Sequence, residues 1–416
     1  MKSRIPIQLP SPLNQIPRHP ILYPDPSPIH PLPTLSSTTP KPPRISIFAK
    51  REDQGSPLAC AGNKYRKLEY IVPDILSPRP KYHYHESHPT TQPLSGPATI
   101  LVTEGALQSN HTVQVAALAR KLGLEALVLL NRDTGGGYTT SSAPESFAKL
   151  GNVQMNKLLG AEIRMYNADD PEATDAQPVL DELVQSGQRP YWIPGGASLH
   201  SLGGLGYARA AFEIAVQESE SQLGGSGHFD FIFVACGSGS TVAGLISGFK
   251  LLEKARMTSS SSSGESSWRR GSRKIIGILS SPTKPREYHE ERVLRFARRA
   301  GELIGLDEEE ITMDDVHLDD RFVGEGYGVV DEETRASFSM MAKMEGIVLD
   351  PVYTAKVAAG MMYRVRRQEM SRLVDVVRLT MAAFNYWYKI SMAGNSKGEI
   401  ERIEKQIASV ITGNMV

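Results

Sequence analysis

The strongest constraint on the fold is an alternation of two kinds of segment between residues 98 and 279. Short runs of Val, Ile, Leu and Phe have the length of buried strands, and turns lead from them to stretches in which apolar residues have helical spacing. Parallel strands need a crossover of this kind to connect them. The sequence therefore predicts an α/β protein with parallel sheets flanked by helices. Strands are predicted at 98–104, 124–130, 161–166, 191–194, 229–235 and 274–279, and helices at 109–122, 152–159, 176–186, 204–222 and 241–254.

The composition excludes several classes of function. The chain has 416 residues, more than one small domain usually contains. Lys plus Arg and Asp plus Glu both number 46, which argues against a nucleic-acid-binding protein or a polybasic membrane anchor. Cys60 and Cys236 are too few for a disulfide framework or a Cys₄ zinc site, and no apolar run is long enough to span a membrane. We expect a cytoplasmic protein.

Proline-rich and low-complexity segments divide the chain. Residues 1–43 are rich in proline, which favours an extended arm on the protein surface. Its predicted anchors are Leu13, Ile16, Ile21, Leu22, Tyr23 and Ile29. Residues 78–97 and 257–272 have the character of inserted loops, because neither contains enough apolar surface to be buried. The first insertion contains His83, His85 and His88, but no cysteine lies nearby and a metal site is not expected.

A loop of small residues follows the predicted strand at 229–235. Its residues are Gly237, Ser238, Gly239, Ser240 and Thr241, and a predicted helix begins directly after them. Backbone N–H groups at such a helix N-terminus can bind a phosphate. The spacing matches neither a Walker loop nor a dinucleotide-binding fingerprint. From these residues alone, a purely structural tight turn is an equally good explanation.

Two further segments contain side chains suited to catalysis. Lys64 follows Gly62 and Asn63, and a lysine buried there would have a lowered pKa and could form a Schiff base. The alternative is an ordinary cationic turn on the surface. Ser109 and Asn110 lie at a second strand–turn–helix junction, where they either cap the helix or contact a substrate carboxylate.

Two tyrosines are also candidates. Tyr327 lies between glycines, and Tyr353 lies in the segment Asp350 to Thr354. Near a lysine and a phosphate site they would be acid–base candidates, and otherwise they are packing residues.

Taken together, these segments resemble the fold-type II pyridoxal-phosphate enzymes, the tryptophan-synthase-β-like group. Within this group the chain resembles the branch that contains 1-aminocyclopropane-1-carboxylate (ACC) deaminase and D-cysteine desulfhydrase. The resemblance extends from about Leu13 to about Met362, in the segments GNKYRKLEY, LQSNHT, GNVQMNKLLGA, LGGLGY and LDPVY. It implies a homodimer of subunits with two α/β domains, and pyridoxal 5'-phosphate in the cleft between these domains. The large domain would comprise 44–67 and 201–394, the small domain 68–200, and residues 395–416 a divergent tail.

The resemblance also implies roles for individual residues. Lys64 would hold the cofactor covalently, Lys67 and the loop from Gly237 to Thr241 would bind its phosphate, and Asn110 would contact its ring hydroxyl. The substrate would be held or faced by Gln108, Ser109, Asn110, Tyr327, Tyr353 and Thr354, with Ser109 also relaying protons.

Position 354 distinguishes two reactions within this branch. ACC deaminases have glutamate after the tyrosine of the DPVY motif, whereas desulfhydrase-like members have a small hydroxyl residue, and here the residue is Thr354. The resemblance therefore favours β-elimination from a small D-amino acid such as D-cysteine, giving sulfide, pyruvate and ammonia. Opening of the ACC ring is the close alternative.

The chain departs from the family pattern in three places. Ala106 replaces the second glycine of a GGIQSN-like turn and Glu104 precedes it, so the substrate pocket is expected to differ. The two insertions are extra. At the C-terminus, the glycines of a His-Thr-Gly-Gly turn are absent from residues 377–384, where Thr380 is the counterpart of the threonine and Met381 could not copy a positive φ. A third hypothesis is therefore a catalytically impaired homologue that binds the cofactor.

Overall fold

The computed structural model describes residues 7–39, 44–82, 96–106, 109–131, 151–166, 175–218, 228–260, 273–280, 284–327, 329–369 and 376–382. The strands in these residues are β1 (Ile29–Pro31), β2 (Arg44–Lys50), β3 (Ile100–Ala106), β4 (Glu125–Asn131), β5 (Glu162–Tyr166), β6 (Pro190–Ile193), β7 (Phe231–Cys236), β8 (Lys274–Leu279), β9 (His317–Asp319) and β10 (Val376–Ala382). The helices are α1 (Pro33–Ser37), α2 (Lys64–Ile75), α3 (Asn110–Leu122), α4 (Gly151–Leu158), α5 (Gln177–Gln185), α6 (Leu205–Gln217), α7 (Ser240–Ser260), α8 (Arg286–Leu303), α9 (Glu332–Glu345) and α10 (Thr354–Arg366).

The strands form two sheets, as the alternation predicted. One sheet has the order β5-β4-β3-β6 and is parallel throughout. The other has the order β1-β2-β10-β7-β8-β9 and is parallel except at its β1 edge. Each of the six predicted strands begins and ends within two residues of its predicted bounds. The smaller sheet uses only residues between 68 and 200, and the domain boundaries drawn around it stay a prediction.

The antiparallel β1 strand comes from the proline-rich segment. Ile29 and Pro31 pair with Lys50 and Phe48 of β2. Proline lacks a backbone N–H, so a sheet tolerates it at an edge, and β1 is an edge strand. The expected anchors Leu13, Ile21 and Ile29 are buried, but Tyr23 is 50% exposed, and its prediction as an anchor was wrong.

The C-terminal stretch forms a strand that the sequence analysis missed. β10 lies between β2 and β7 and is parallel to both. Thr380 pairs with Phe48 on one side and Ile232 on the other, so this threonine lies inside a strand and not in a turn. The tail at 395–416 and the histidines at 83–88 lie outside the described residues.

The carboxyl ends of β3 and β7 lead directly into the two turns that contain the candidate site residues. Ser109 is the N-cap of α3, shortly after β3, and Ser240 begins α7 shortly after β7. Ligands of open parallel sheets bind at the carboxyl ends of the strands. The topology therefore brings both turns to the edges where a ligand is expected.

Candidate active site

A cavity of about 280 Å³ lies between the two turns. It is bordered by the first residue of α2, the end of β3, the turn after β6, the loop after β7, one side of α8 and the two candidate tyrosines. Of the predicted site residues, those on its walls are Lys64, Ser109, Asn110, Gly237, Ser238, Gly239, Thr241, Tyr327 and Tyr353. The fold thus gathers residues that are almost 290 positions apart along the chain.

Lys64 is the first residue of α2 and its side chain is half-buried. Burial lowers the pKa of its amine to about 8, although the nearby negative charge of Asp350 opposes the shift. In the described part of the chain, its Nζ has no hydrogen-bond partner. A substantial fraction of this amine is therefore neutral at physiological pH, and a neutral amine is the nucleophilic form.

Lys67 lies on the same helix and is completely buried. Its Nζ donates hydrogen bonds to the carbonyl oxygen of Gly196 at 3.0 Å and to Ser240 Oγ at 2.8 Å. Burial and the neighbouring positive charge of Lys64 lower its pKa well below the usual value. Since no described carboxylate contacts this ammonium group, its charge is uncompensated within that part of the protein.

The loop from Gly237 to Thr241 lies beside Lys67. Gly239 has φ of 98°, a conformation that L-residues with a side chain rarely adopt, and Ser240 opens α7. Ser198 Oγ donates to Ser238 Oγ at 2.6 Å and lies 2.8 Å from Ser240 Oγ. A buried lysine, a group of hydroxyls and a helix N-terminus are the kinds of group that can bind a phosphate.

The sequence analysis missed the part of this site that follows β6. Gly196 approaches the loop so closely that a Cβ there would lie 2.2 Å from Ser238 Oγ, and its neighbour Ser198 supplies a hydroxyl. The signal was present in the sequence, since residues 195–198 read Gly-Gly-Ala-Ser directly after a strand. Only the sheet topology shows that this turn faces the loop at 237–241.

The turn before α3 combines the two functions that the sequence left open. Ser109 is the N-cap of α3, and its Oγ accepts a hydrogen bond from His111 N at 3.2 Å. Ser109 also lines the cavity, so capping and ligand contact are compatible here. Asn110 Oδ1 accepts from Asn152 Nδ2 at 3.3 Å, which orients its amide. Gln108 lies outside the described residues.

Tyr327 and Tyr353 meet at the cavity, with their hydroxyl groups hydrogen-bonded to each other. Burial raises the pKa of Tyr327 to about 12 and that of Tyr353 well above its usual value. Both phenols are therefore protonated at neutral pH. Asp350 holds the turn in place, because its Oδ1 accepts from Tyr353 N at 2.7 Å.

Thr354 lies outside the cavity, although the resemblance implied that it contacts the substrate. It is fully buried and does not line the cavity. Its Oγ1 donates to Asp350 Oδ2 at 2.7 Å and accepts from Asp350 N at 2.9 Å. The sequence predicted a direct substrate contact, whereas this hydroxyl is occupied on both sides by the residue that begins its own turn.

Several cavity residues were not assigned by the sequence analysis. His111 is buried beside the Ser109 turn, and Arg292 of α8 donates to the Gly237 carbonyl oxygen at 2.8 Å. Glu104, which the sequence marked as a departure, lines the cavity and its Oε1 accepts from Gly195 N at 3.1 Å. His111 and Arg292 lie on helices, where polar residues are common in any sequence, so nothing local distinguished these two from surface residues.

No group of three or more His, Cys, Asp or Glu side chains in the described residues could hold a metal ion. None of the helices in these residues is long and apolar enough to cross a membrane.

Comparison with known proteins agrees with this architecture. Residues 22–379 match the family described as pyridoxal-phosphate dependent enzyme. The chain is 35% identical to the 1-aminocyclopropane-1-carboxylate deaminase of Burkholderia multivorans, over 86% of this chain and 91% of that protein. It is 36% identical to the enzyme of the same name from Ralstonia nicotianae, with the same two coverages.

A crystal structure titled as that of an ACC deaminase homologue has a similar fold. The TM-score is 0.66 and the identity 29%, over 89% of this chain and 93% of that one. The family match and the two parallel sheets flanked by helices define a fold-type II pyridoxal-phosphate enzyme. The chain belongs to the pyridoxal-phosphate dependent enzyme family, and pyridoxal 5'-phosphate is its cofactor.

Proposed function

We propose that this enzyme deaminates a small amino acid by β-elimination, and that D-cysteine or a close analogue is its substrate. Cleavage of the Cα–H and Cβ–S bonds releases sulfide, and the remaining 2-aminoacrylate takes up water to give pyruvate and ammonia. The cofactor, when bound, withdraws electrons from Cα. The protein's side chains hold the substrate, move the proton and stabilise the leaving group.

We assign cofactor binding to residues on both sides of the cavity. Lys64 holds the cofactor covalently, and Lys67 with the loop from Gly237 to Thr241 binds its phosphate. The uncompensated charge of Lys67 beside three serine hydroxyls supports the phosphate assignment. Asn110, oriented by Asn152, is assigned to the ring hydroxyl.

Substrate binding is assigned to the turn before α3. Ser109 and the N–H groups at the start of α3 hold the substrate carboxylate, and the resemblance assigns Gln108 to the same role. A helix N-terminus favours a carboxylate by its partial positive charge. The Lys64 amine, with its pKa lowered to about 8, is the group that takes the Cα proton.

The tyrosine pair is the observation that carries the choice of reaction. Tyr327 and Tyr353 both stay protonated, because burial and the negative charge of Asp350 raise their pKa values, and residue 354 is a threonine and not a glutamate. A thiolate is a weaker base than a phenolate of pKa about 12, so the pair stabilises the leaving sulfur by donating a hydrogen bond without giving up its proton.

Ring opening of ACC to 2-oxobutanoate and ammonia is the second candidate. The names of the relatives that are 35% and 36% identical favour it. Both reactions need the same lysine and the same phosphate site, so the two candidates differ only in the chemistry at the substrate side chain.

Turnover by the purified protein decides between the candidates. Sulfide and pyruvate from D-cysteine, with little from L-cysteine or ACC, are expected. Formation of 2-oxobutanoate from ACC without sulfide from D-cysteine would select the second candidate. A protein that shows the visible band of bound cofactor but turns over none of the three is the impaired homologue.

Variants at position 354 test the role assigned to it. Thr354→Glu is expected to lose sulfide release and gain ring opening if a carboxylate beside Tyr353 sets the reaction. Thr354→Ser is the matched control, because it keeps the hydroxyl that bonds to Asp350. No change in either activity would contradict the assignment.

On the resemblance alone, we propose a cytoplasmic homodimer. Light scattering of the purified protein tests the dimer, and a fluorescent fusion tests the location.

A further inference from the structure

We propose that Lys356 is a positioning residue for the tyrosine pair: its buried ammonium group holds the loop that contains Tyr327 against the helix that begins beside Tyr353. The inference rests on the role proposed for this pair, which is to donate a hydrogen bond to the leaving sulfur. Lys356 itself does not line the cavity, so it acts only through the tyrosines.

The ammonium group of Lys356 has a fixed place in the protein interior. Lys356 lies in the first turn of α10 and is 0% exposed. Its Nζ donates a hydrogen bond to the carbonyl oxygen of Val323. Burial lowers the pKa of this ammonium group, and the negative charge of Asp331 opposes the shift. The group is therefore held between the backbone at Val323 and the charge of Asp331.

These two neighbours lie at opposite ends of the loop that contains Tyr327. Val323 comes four residues before Tyr327, and Asp331, the N-cap of α9, comes four residues after it. Gly324 has φ of 72° and passes so close that a Cβ there would lie 3.3 Å from Lys356 Nζ and 3.6 Å from Asp331 Oδ2. The ammonium group therefore ties both ends of this loop to α10.

The same lysine belongs to the segment that contains Tyr353. Tyr353 is the N-cap of α10, three residues before Lys356. Its ring meets the ring of Tyr327 edge to face, with 6.0 Å between the centroids, and the two hydroxyl groups are hydrogen-bonded. Lys356 thus links the two backbone segments whose tyrosines meet at the cavity. Because a hydrogen bond weakens steeply with poor distance or direction, donation to a leaving group requires the hydroxyls to be held in place.

Another cation of α10 provides a matched control. Arg364 donates to Asp319 Oδ2 at 2.9 Å, so it also joins α10 to the segment that leads into this loop. Arg364 lies eight residues after Lys356, and its partner lies eight residues before Tyr327. Loss of this bond should therefore weaken the packing of α10 without moving the tyrosines.

The kinetic test compares two leaving groups in the holoenzyme. D-Cysteine and β-chloro-D-alanine lose the same Cα proton and differ in whether the Cβ–S or the Cβ–Cl bond breaks. Chloride is a far weaker base than a thiolate and gains little from a hydrogen-bond donor. Lys356→Met is expected to lower kcat about tenfold for D-cysteine and less than about threefold for β-chloro-D-alanine. Arg364→Met should leave the ratio of the two kcat values unchanged.

A spectroscopic test measures the position of the loop without turnover. With meta-fluorotyrosine in place of Tyr327, the fluorine NMR resonance of the cofactor-free protein reports the surroundings of this ring. Lys356→Met is expected to move the resonance toward its position in the urea-unfolded protein, and Arg364→Met is expected to leave it in place. A resonance that does not move in Lys356→Met would overturn the proposal.

Tyr327→Phe separates failure of this inference from failure of the proposed function. If Tyr327→Phe slows D-cysteine more than the chloro analogue while Lys356→Met slows both equally, the inference about Lys356 is wrong by itself. If Tyr327→Phe slows both substrates equally, the leaving-group role of the pair is wrong, and the role of Lys356 falls with it. If the wild type turns over neither substrate, the proposed function is wrong, and the fluorine resonance alone decides whether Lys356 positions Tyr327.

A second variant covers the case in which Lys356→Met fails to fold by circular dichroism. Lys356→Gln keeps an amide donor in the buried site, but its side chain is one bond shorter than that of lysine. It is expected to change the ratio of the two kcat values severalfold. An unchanged ratio in this variant would refute the positioning role.

Discussion

Helix α2 contacts two buried groups of charges that differ in balance. On one side, Arg66 lies among Lys50, Glu52 and Glu213, two cations and two anions that bond to one another. On the cavity side, Lys64 and Lys67 have no carboxylate in contact among the described residues. Lys64, Arg66 and Lys67 lie within about one turn of α2, so the two groups are close neighbours.

The balanced group is a structural network. Arg66 donates to Glu213 at 2.9 Å and to Glu52 at 2.9 Å, and all three side chains are almost fully buried. Although burial opposes it, the positive charges of Arg66 and Lys50 hold the pKa of Glu213 well below its usual value. Such a network is complete without a ligand.

The unbalanced group is incomplete without one. A buried cation that lacks an anion is unfavourable, and a cofactor phosphate, as we propose, would bring the negative charge. Both groups are buried, so burial of charge does not distinguish the proposed ligand site from the structural network. The difference is that the cations at the proposed site have no anions to balance them.

The largest expected effect comes from Lys64→Ala. Loss of the amine that we assign to covalent capture and proton transfer should lower turnover by about 10³-fold or more. The free energy of unfolding of the cofactor-free protein should change little, since Lys64 makes no hydrogen bond there. Steady-state kinetics and urea unfolding measure the two quantities. Activity within tenfold of the wild type would remove Lys64 from the site.

Arg66→Met tests the balanced group. Removing the guanidinium leaves Glu52 and Glu213 buried without their main partner, and the protein should lose about 3–5 kcal/mol of unfolding free energy. Arg164→Met is the matched control, because Arg164 pairs with Glu182 on the surface and its loss should matter far less. Similar unfolding curves for the two variants would contradict the distinction between buried and exposed networks.

Lys67→Met is expected to weaken cofactor binding without destabilising the protein, unlike Arg66→Met. Its affinity for pyridoxal phosphate is expected to fall about 10- to 100-fold, because a charged hydrogen-bond donor to the phosphate is lost. The cofactor-free variant should be as stable as the wild type or more stable, because an uncompensated buried charge is gone. Absorbance titration and urea unfolding test both statements. Lys250→Met, which removes a surface partner of Asp315, should leave the affinity unchanged.

If Lys67→Met instead destabilised the cofactor-free protein and kept its affinity, the residue would belong with the structural network, and the comparison would fail.

The smallest effect is the pH dependence of cofactor capture. A lowered pKa means that the reactive neutral amine appears as the pH rises through about 8. After cofactor is added, the visible band of bound cofactor should then appear about fivefold faster at pH 8 than at pH 7. Between pH 8 and 9 the rate should rise less than about twofold. A lysine of ordinary pKa would give about a tenfold rise over each of these intervals. Continued tenfold increases up to pH 9 would show that the Lys64 pKa is not lowered.

Local patterns predicted much of the fold and of the site. The alternating segments determined the strands from β3 to β8, because strand length and helical spacing are properties of neighbouring residues. The same logic found the Ser109 turn and the loop at 237–241. It missed β10, because the resemblance aligns residues 377–384 with a turn, and only the packed sheet shows a strand between β2 and β7.

By itself, the sequence determined which short segments are candidates for the site: a lysine after Gly-Asn, a polar turn at a helix start and a loop of small residues after a strand. The local backbone conformation of each segment requires residues of these types. Only the tertiary structure decided their partners. Gly196 meets Ser238, Arg66 meets Glu213, and Thr354 turns to Asp350. The reason is physical: long-range contacts and desolvation depend on how sheets and helices pack, and a residue's neighbours along the chain do not specify them.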